Sequence, residues 1–164
     1  MPATALHLAA KAGELDEAQK FMLDDENKAR VNEVDSTGWT ALHWAASRGR
    51  EQMVEYLLAQ KADATVVTED NWSPVHDAAR AGSEKCLRML RDAGANMVLM
   101  TGNGSTPLHY AAQYDKVDVV KYLLNLDEAE GLVDITNATG QVSMHHPTVL
   151  GQKPCGAVCR SFDL

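Results

Sequence analysis

One histidine returns at a nearly fixed interval. His7, His43, His76 and His109 are 36, 33 and 33 residues apart, and each sits in a near-copy of one phrase: TALHLAAKAG, TALHWAASRG, SPVHDAARAG and TPLHYAAQYD. His145 extends the series by another 36 residues. A period of this length describes a stack of small supersecondary units. No single unit can bury its own apolar face, so each copy completes the core of the next.

Every position of the phrase has a physical reason. Thr40, Ser73 and Thr106 are good N-cap residues, and Pro74 and Pro107 follow where a missing amide hydrogen costs nothing. A short helix is expected to begin at each. Leu42, Ala45 and Ala46 mark one apolar face, and the paired alanines allow a neighbouring helix to approach closely. Gly13, Gly49, Gly82 and Gly151 then fall where a residue free to take positive φ ends the helix; Asp115 breaks this rule in the fourth copy. A second helix follows, with Met53, Val54, Leu57 and Leu58 in one copy matched by Val119, Val120, Leu123 and Leu124 in another. Cys86 takes the place of Met53, which reads as a small buried hydrophobe. Asp, Asn and Gly after the second helices suit tight hairpins. The two longer intervals place polar insertions at DDENKAR and DEAEG, expected as surface loops.

A period near 33 residues carrying T-P-L-H-x-A-A-x-x-G resembles the ankyrin repeat over at least residues 4–140. The resemblance implies an all-α solenoid of stacked helix-turn-helix units joined by β-hairpin loops. The repeats would span approximately residues 1–37, 38–70, 71–103 and 104–139, with 140–164 a degenerate fifth repeat or irregular cap, because Pro147, Pro154 and Gly156 oppose its helices. It also implies a structural histidine that ties each helix start to the adjoining hairpin by hydrogen bonds.

Composition limits the chemistry. A formal net charge of -8 and no basic cluster argue against nucleic acid and against an anionic membrane as partners. No apolar run reaches the roughly 18 residues of a bilayer span, and three unevenly placed cysteines fit reducing conditions, so a cytoplasmic or nuclear monomer is expected. No nucleophile elbow, P-loop or zincin motif is present. The histidines lie one per repeat, too far apart to share an ion. The expectation is a non-enzymatic chain without cofactor or metal, serving as a protein-binding module.

The candidate site is therefore surface. The position after each histidine reads Leu8, Trp44, Asp77 and Tyr110, a ladder expected to be exposed along one face, with Trp39 and Trp72 beside their hairpins. Resemblance to ankyrin proteins implies partner binding through this concave face, adding Arg48, Arg80, Gln113 and Tyr114, with Glu69 and Asp70 among the hairpin residues. Asp77 and Arg80, three apart on one helix, are expected to hold each other in the free protein and to meet opposite charges in a complex. None of Trp44, Asp77, Arg80 and Tyr110 is expected to be needed for packing. Two alternatives remain open. VHDAARAG resembles the third-repeat phrase of small four-repeat inhibitors of cyclin-dependent kinases, in which the residues matching Asp77 and Arg80 face the kinase, although the complete TALHWAASRG departs from their shortened second-repeat helix. His145, His146, Cys155 and Cys159 could form a C-terminal zinc element.

Overall fold

Pro74 and Pro107 open two helices of closely similar setting, Pro74–Ala81 and Pro107–Gln113, and the same phrase without proline opens Ala5–Ala12 and Ala41–Ser47. The computed structural model describes residues 4–126 and 137–138. In chain order its helices are α1 (Ala5–Ala12), α2 (Leu15–Phe21), α3 (Asp25–Lys28), α4 (Ala41–Ser47), α5 (Glu51–Ala59), α6 (Pro74–Ala81), α7 (Glu84–Asp92), α8 (Pro107–Gln113) and α9 (Val117–Leu124). Helices α1, α4, α6 and α8 pack side by side as an inner layer, and α5, α7 and α9 stack behind them. The inner layer is the more tightly packed. Its contacts run through Ala10, Ala45, Ala46, Ala78, Ala79 and Ala111, all sealed from solvent, and small side chains are what let the helix axes come close. Behind them Met53, Val54 and Leu57, then Cys86, Leu87 and Leu90, then Val119, Val120 and Leu123 repeat one buried stripe. Burial pushes the Cys86 thiol up, in keeping with a packing role.

The histidines lock this stack. The backbone N–H and the hydroxyl of Thr40 both meet Nδ1 of His43, at 3.3 and 2.9 Å, so Nδ1 is the acceptor and Nε2 carries the hydrogen. The Nε2 nitrogens then face carbonyls of the following loop: Glu33 and Trp39 for His7, Trp72 for His43 and Leu99 for His76. Burial lowers the His43 and His76 pKa values to about 4, which keeps both rings neutral and in this bonding pattern.

Glycine at the end of the inner helices does two things. Gly13 and Gly82 take φ of 85° and 86°, and a Cβ at Gly82 would stand 2.6 Å from Lys116 Cδ, so the next copy's side chain lies across the turn. Asp115 adopts φ of 55° at the corresponding place, a conformation that a short polar side chain tolerates. The fourth copy thus keeps the left-handed turn while losing the glycine.

The all-α architecture is as expected, with one feature made finer and one expectation changed. No strand forms among the described residues; each hairpin is reduced to its tip. At the tips the amides of Asp35, Thr68 and Thr101 donate to the carbonyls of Trp39, Trp72 and Ser105, and Gly38, Asn71 and Gly104 take positive φ one residue earlier. This is a turn closed by a left-handed residue, which bends the chain sharply and leaves no length for a ladder. The DDENKAR insertion is not a plain loop, because Asp25–Lys28 closes one helical turn, with Asp25 paired to Lys28 at 2.8 Å. DEAEG lies outside the described residues, as do Gly151 and the prolines of the carboxyl-terminal segment.

Candidate partner-binding groove

The hairpin tips stand beside the inner helices, and their tryptophans fold back over them. Trp39 stacks on its own repeat's His43 at 5.9 Å and on Trp44 at 4.7 Å. The indole N–H of Trp44 donates to Asp35 Oδ2 at 2.9 Å, and Lys11 Nζ of the preceding repeat lies 4.2 Å above the Trp44 ring. Asp35 is itself buried. Burial raises its pKa, but the Thr37 hydroxyl, the Trp44 indole and the Thr37 and Trp39 amides outweigh that and hold it at about 2. The carboxylate is the hub of the tip: Oδ1 takes the Thr37 amide, the Thr37 hydroxyl and the Trp39 amide.

One repeat on, the parts are similar and the outcome differs. Trp72 packs edge to face on Tyr110 at 4.6 Å and stacks on His76 at 5.4 Å. Arg80 lies over the indole, 5.4 Å from its centroid, and donates from Nη2 to Asp77 Oδ1 at 3.1 Å. Asp77 Oδ2 and Trp72 Nε1 are both buried without a hydrogen-bond partner. Burial pushes the Asp77 carboxyl up to about 8, against the weaker pull of the nearby Trp72 indole and the Arg80 charge. The expected mutual hold of Asp77 and Arg80 is present. The expected exposure of Asp77 is not: it is completely buried, because Trp72 and Arg80 close over it, and it cannot meet a partner's charge directly.

The rest of the ladder divides by exposure. Leu8 is 59% exposed, while Trp44 and Tyr110 are half-buried, with Trp44 packed against the core. The expectation that no ladder residue contributes to packing is therefore corrected for Trp44 as well as for Asp77. Trp39 and Trp72 are half-buried, and Arg48, Gln113 and Tyr114 are exposed.

Two open clefts cross this face. One, of about 410 Å³, runs between successive tips and is lined by Trp39, Trp72, Arg80, Thr68, Glu69 and Asp70 among others. The second, of about 360 Å³, lies toward the helix ends, where Trp39, Trp44, Arg48, Arg80 and Tyr114 converge from three repeats. Trp39 and Arg80 line both, so the two form one groove. Gln113 lines neither. Two residues of this face escaped the sequence reading, Lys11 and Asp35. For Lys11 the available signal was its spacing of four after His7, matching Arg80 after His76; for Asp35 it was the acid four before Trp39.

Among the described residues no group of three or more His, Cys, Asp or Glu could hold a metal ion, and no helix is long and apolar enough to cross a membrane. His145, His146, Cys155 and Cys159 lie outside those residues.

The family model of ankyrin repeats in three copies matches residues 2–68, 59–138 and 76–155. Among curated proteins the chain is similar to mouse and human ankyrin repeat domain-containing protein 40, 41% identical over 63 residues, or 38% of this chain and 17% of each relative. It is also 44% identical over 64 residues to calmodulin-binding transcription activator 6 of Arabidopsis thaliana, covering 39% of this chain and 7% of that protein. Rat ankyrin repeat and SAM domain-containing protein 6 matches at 45% over 65 residues, again 39% of this chain and 7% of the relative. The chain therefore corresponds to less than a fifth of the length of these relatives.

Proposed function

Since this chain belongs to the ankyrin-repeat family, whose repeats are protein-protein interaction modules, we propose that it is a non-enzymatic binding module that takes its partner protein in the groove of the inner face. The observation that supports this reading is the convergence of Trp39, Trp44, Arg48, Arg80 and Tyr114 from three consecutive repeats on one open cleft. Tryptophan, tyrosine and arginine are the residue types that dominate interface energies. The opposite face offers a different composition: Glu84, Arg88, Asp118 and Lys121 line a hollow of about 350 Å³ there, and charged pairs of this kind on an open surface contribute little.

The kinase-inhibitor alternative gains no support. Helix α4 is complete from Ala41 to Ser47, and Asp77, which that reading would turn toward the kinase, is buried.

The test uses partner protein recovered by affinity purification, titrated against three purified forms. Arg48→Ala with Tyr114→Ala alters two exposed groove residues, and Asp118→Ala with Lys121→Ala alters the outer face. The groove variant is expected to bind about tenfold more weakly or worse, with an unchanged melting temperature. Loss of binding in the outer-face variant alone would overturn the reading.

A further inference from the structure

Resting on that reading of the inner face, we propose that the groove is built for an acidic peptide segment, seating an Asp or Glu side chain between Arg48 and Arg80 with an apolar neighbour against Trp39. The charge distribution is the first argument. The chain carries a formal net charge of -8, yet its helix-end cleft has two guanidinium groups and no carboxylate in its lining. Lys11 stands next to it, over Trp44. An excess of positive charge confined to one cleft of an acidic protein attracts anions there and repels them elsewhere.

The second argument is the state of those cations. Arg48 is exposed and enters no ion pair among the described residues. Arg80 is tied to Asp77 by a single bond from Nη2, leaving most of its planar fork uncommitted. Asp77 holds its proton up to about pH 8, so near neutrality it does not cancel the Arg80 charge. Two such forks facing one space suit a carboxylate, which accepts two parallel N–H bonds from a guanidinium.

The aromatic rings argue against the opposite ligand. A basic or methylated-lysine segment needs open ring faces, but Lys11 already covers Trp44 and Arg80 already covers Trp72. A ligand cation there meets positive charge. The neighbouring cleft fixes the direction of the segment, because Glu69 and Asp70 are exposed in its lining and would repel an acid at the tips. The acidic residue belongs at the helix ends.

The test is selection of random short peptides displayed on phage against the intact chain, followed by fluorescence polarisation with the fluorescein-labelled consensus peptide. The enriched peptides are expected to carry Asp or Glu beside an apolar residue. Changing those acids to Asn or Gln is expected to weaken binding about tenfold or more, as is Arg48→Ala, whose exposed site leaves folding intact by circular dichroism. Enrichment of basic or uncharged peptides, failure to enrich any, or equal binding of the amide version overturns the proposal. If basic peptides enrich and Arg48→Ala with Tyr114→Ala still abolishes their binding, only the acidic preference falls. If the enriched peptides ignore that variant and are lost with Asp118→Ala and Lys121→Ala, the groove reading falls with it.

Discussion

Asp35 sits at the base of one hairpin tip and Asp77 on the first turn of the next inner helix, each shut away from solvent beside an indole. Around Asp35 four protein donors converge, and the carboxyl ionises at about 2. Around Asp77 a single Arg80 nitrogen reaches one oxygen, the Trp72 N–H goes unpaired, and the carboxyl stays protonated to about 8. Burial alone does not decide the charge of a buried acid; the number of hydrogen bonds aimed at it does. The second repeat's site is settled in the free protein. In the third repeat the buried Asp77 holds Arg80 by one bond only, and Arg80 lines the open cleft, which makes that arginine the place where binding can add interactions.

The largest expected effect comes from removing the hub. Asp35→Ala leaves the Thr37, Trp39 and Trp44 donors without their acceptor and is expected to lower the unfolding free energy by about 3 kcal/mol, measured by urea unfolding. A loss well under about 1 kcal/mol would mean that water replaces the carboxylate and that the two sites are alike.

The second effect separates the sites by pH. The unfolded chain gives up the Asp77 proton near 3.8, while the folded chain keeps it to about 8, so the folded form binds more protons in between and stability falls as pH rises. His43 and His76, lowered to about 4, act in the opposite direction; at their unfolded value of 6.5 both are still half protonated in the unfolded chain and offset the Asp77 slope, and their effect fades above it. The Asp77 slope therefore emerges between about pH 7 and 8, at no more than roughly 1.4 kcal/mol per pH unit. Asp77→Asn is expected to flatten that slope in thermal melts. A slope that survives the substitution would place the proton elsewhere. Asp35, depressed to about 2, adds nothing to this window; its contribution is lost only as pH falls below about 3.8.

A smaller contrast tests the indoles. Trp44→Phe loses the bond to Asp35 and is expected to cost about 1 kcal/mol, whereas Trp72→Phe removes an N–H that has no partner and is expected to be near neutral. Equal costs would contradict the difference between the sites.

Much of this architecture was legible because it is local and periodic. The cap, the histidine and the paired alanines act within one turn of helix or on the neighbouring copy, so a single phrase encodes them. Asp77 shows where that reading ends. The position after the histidine is 59% exposed at Leu8 and half-buried at Trp44 and Tyr110, and among the described copies it is sealed only in the third, by the particular combination of Trp72 and Arg80. No periodic rule contains that combination. Asp35 was hidden for a related reason: the other two tips carry Thr68 and Thr101 at its place, so the hub function belongs to one copy. Asp115 shows the reverse case, in which geometry persists after the residue that normally signals it has changed.

The chain's three tryptophans, Trp39, Trp44 and Trp72, all line the groove, which makes their indole N–H groups a direct reporter of its use. The decisive measurement is the indole region of the ¹⁵N–¹H spectrum while the selected peptide is titrated to saturation. The Trp39 and Trp72 signals are expected to move most, and Trp44, already bonded to Asp35, least. Saturating binding that leaves all three indoles unmoved would contradict the assignment of partner binding to the inner face.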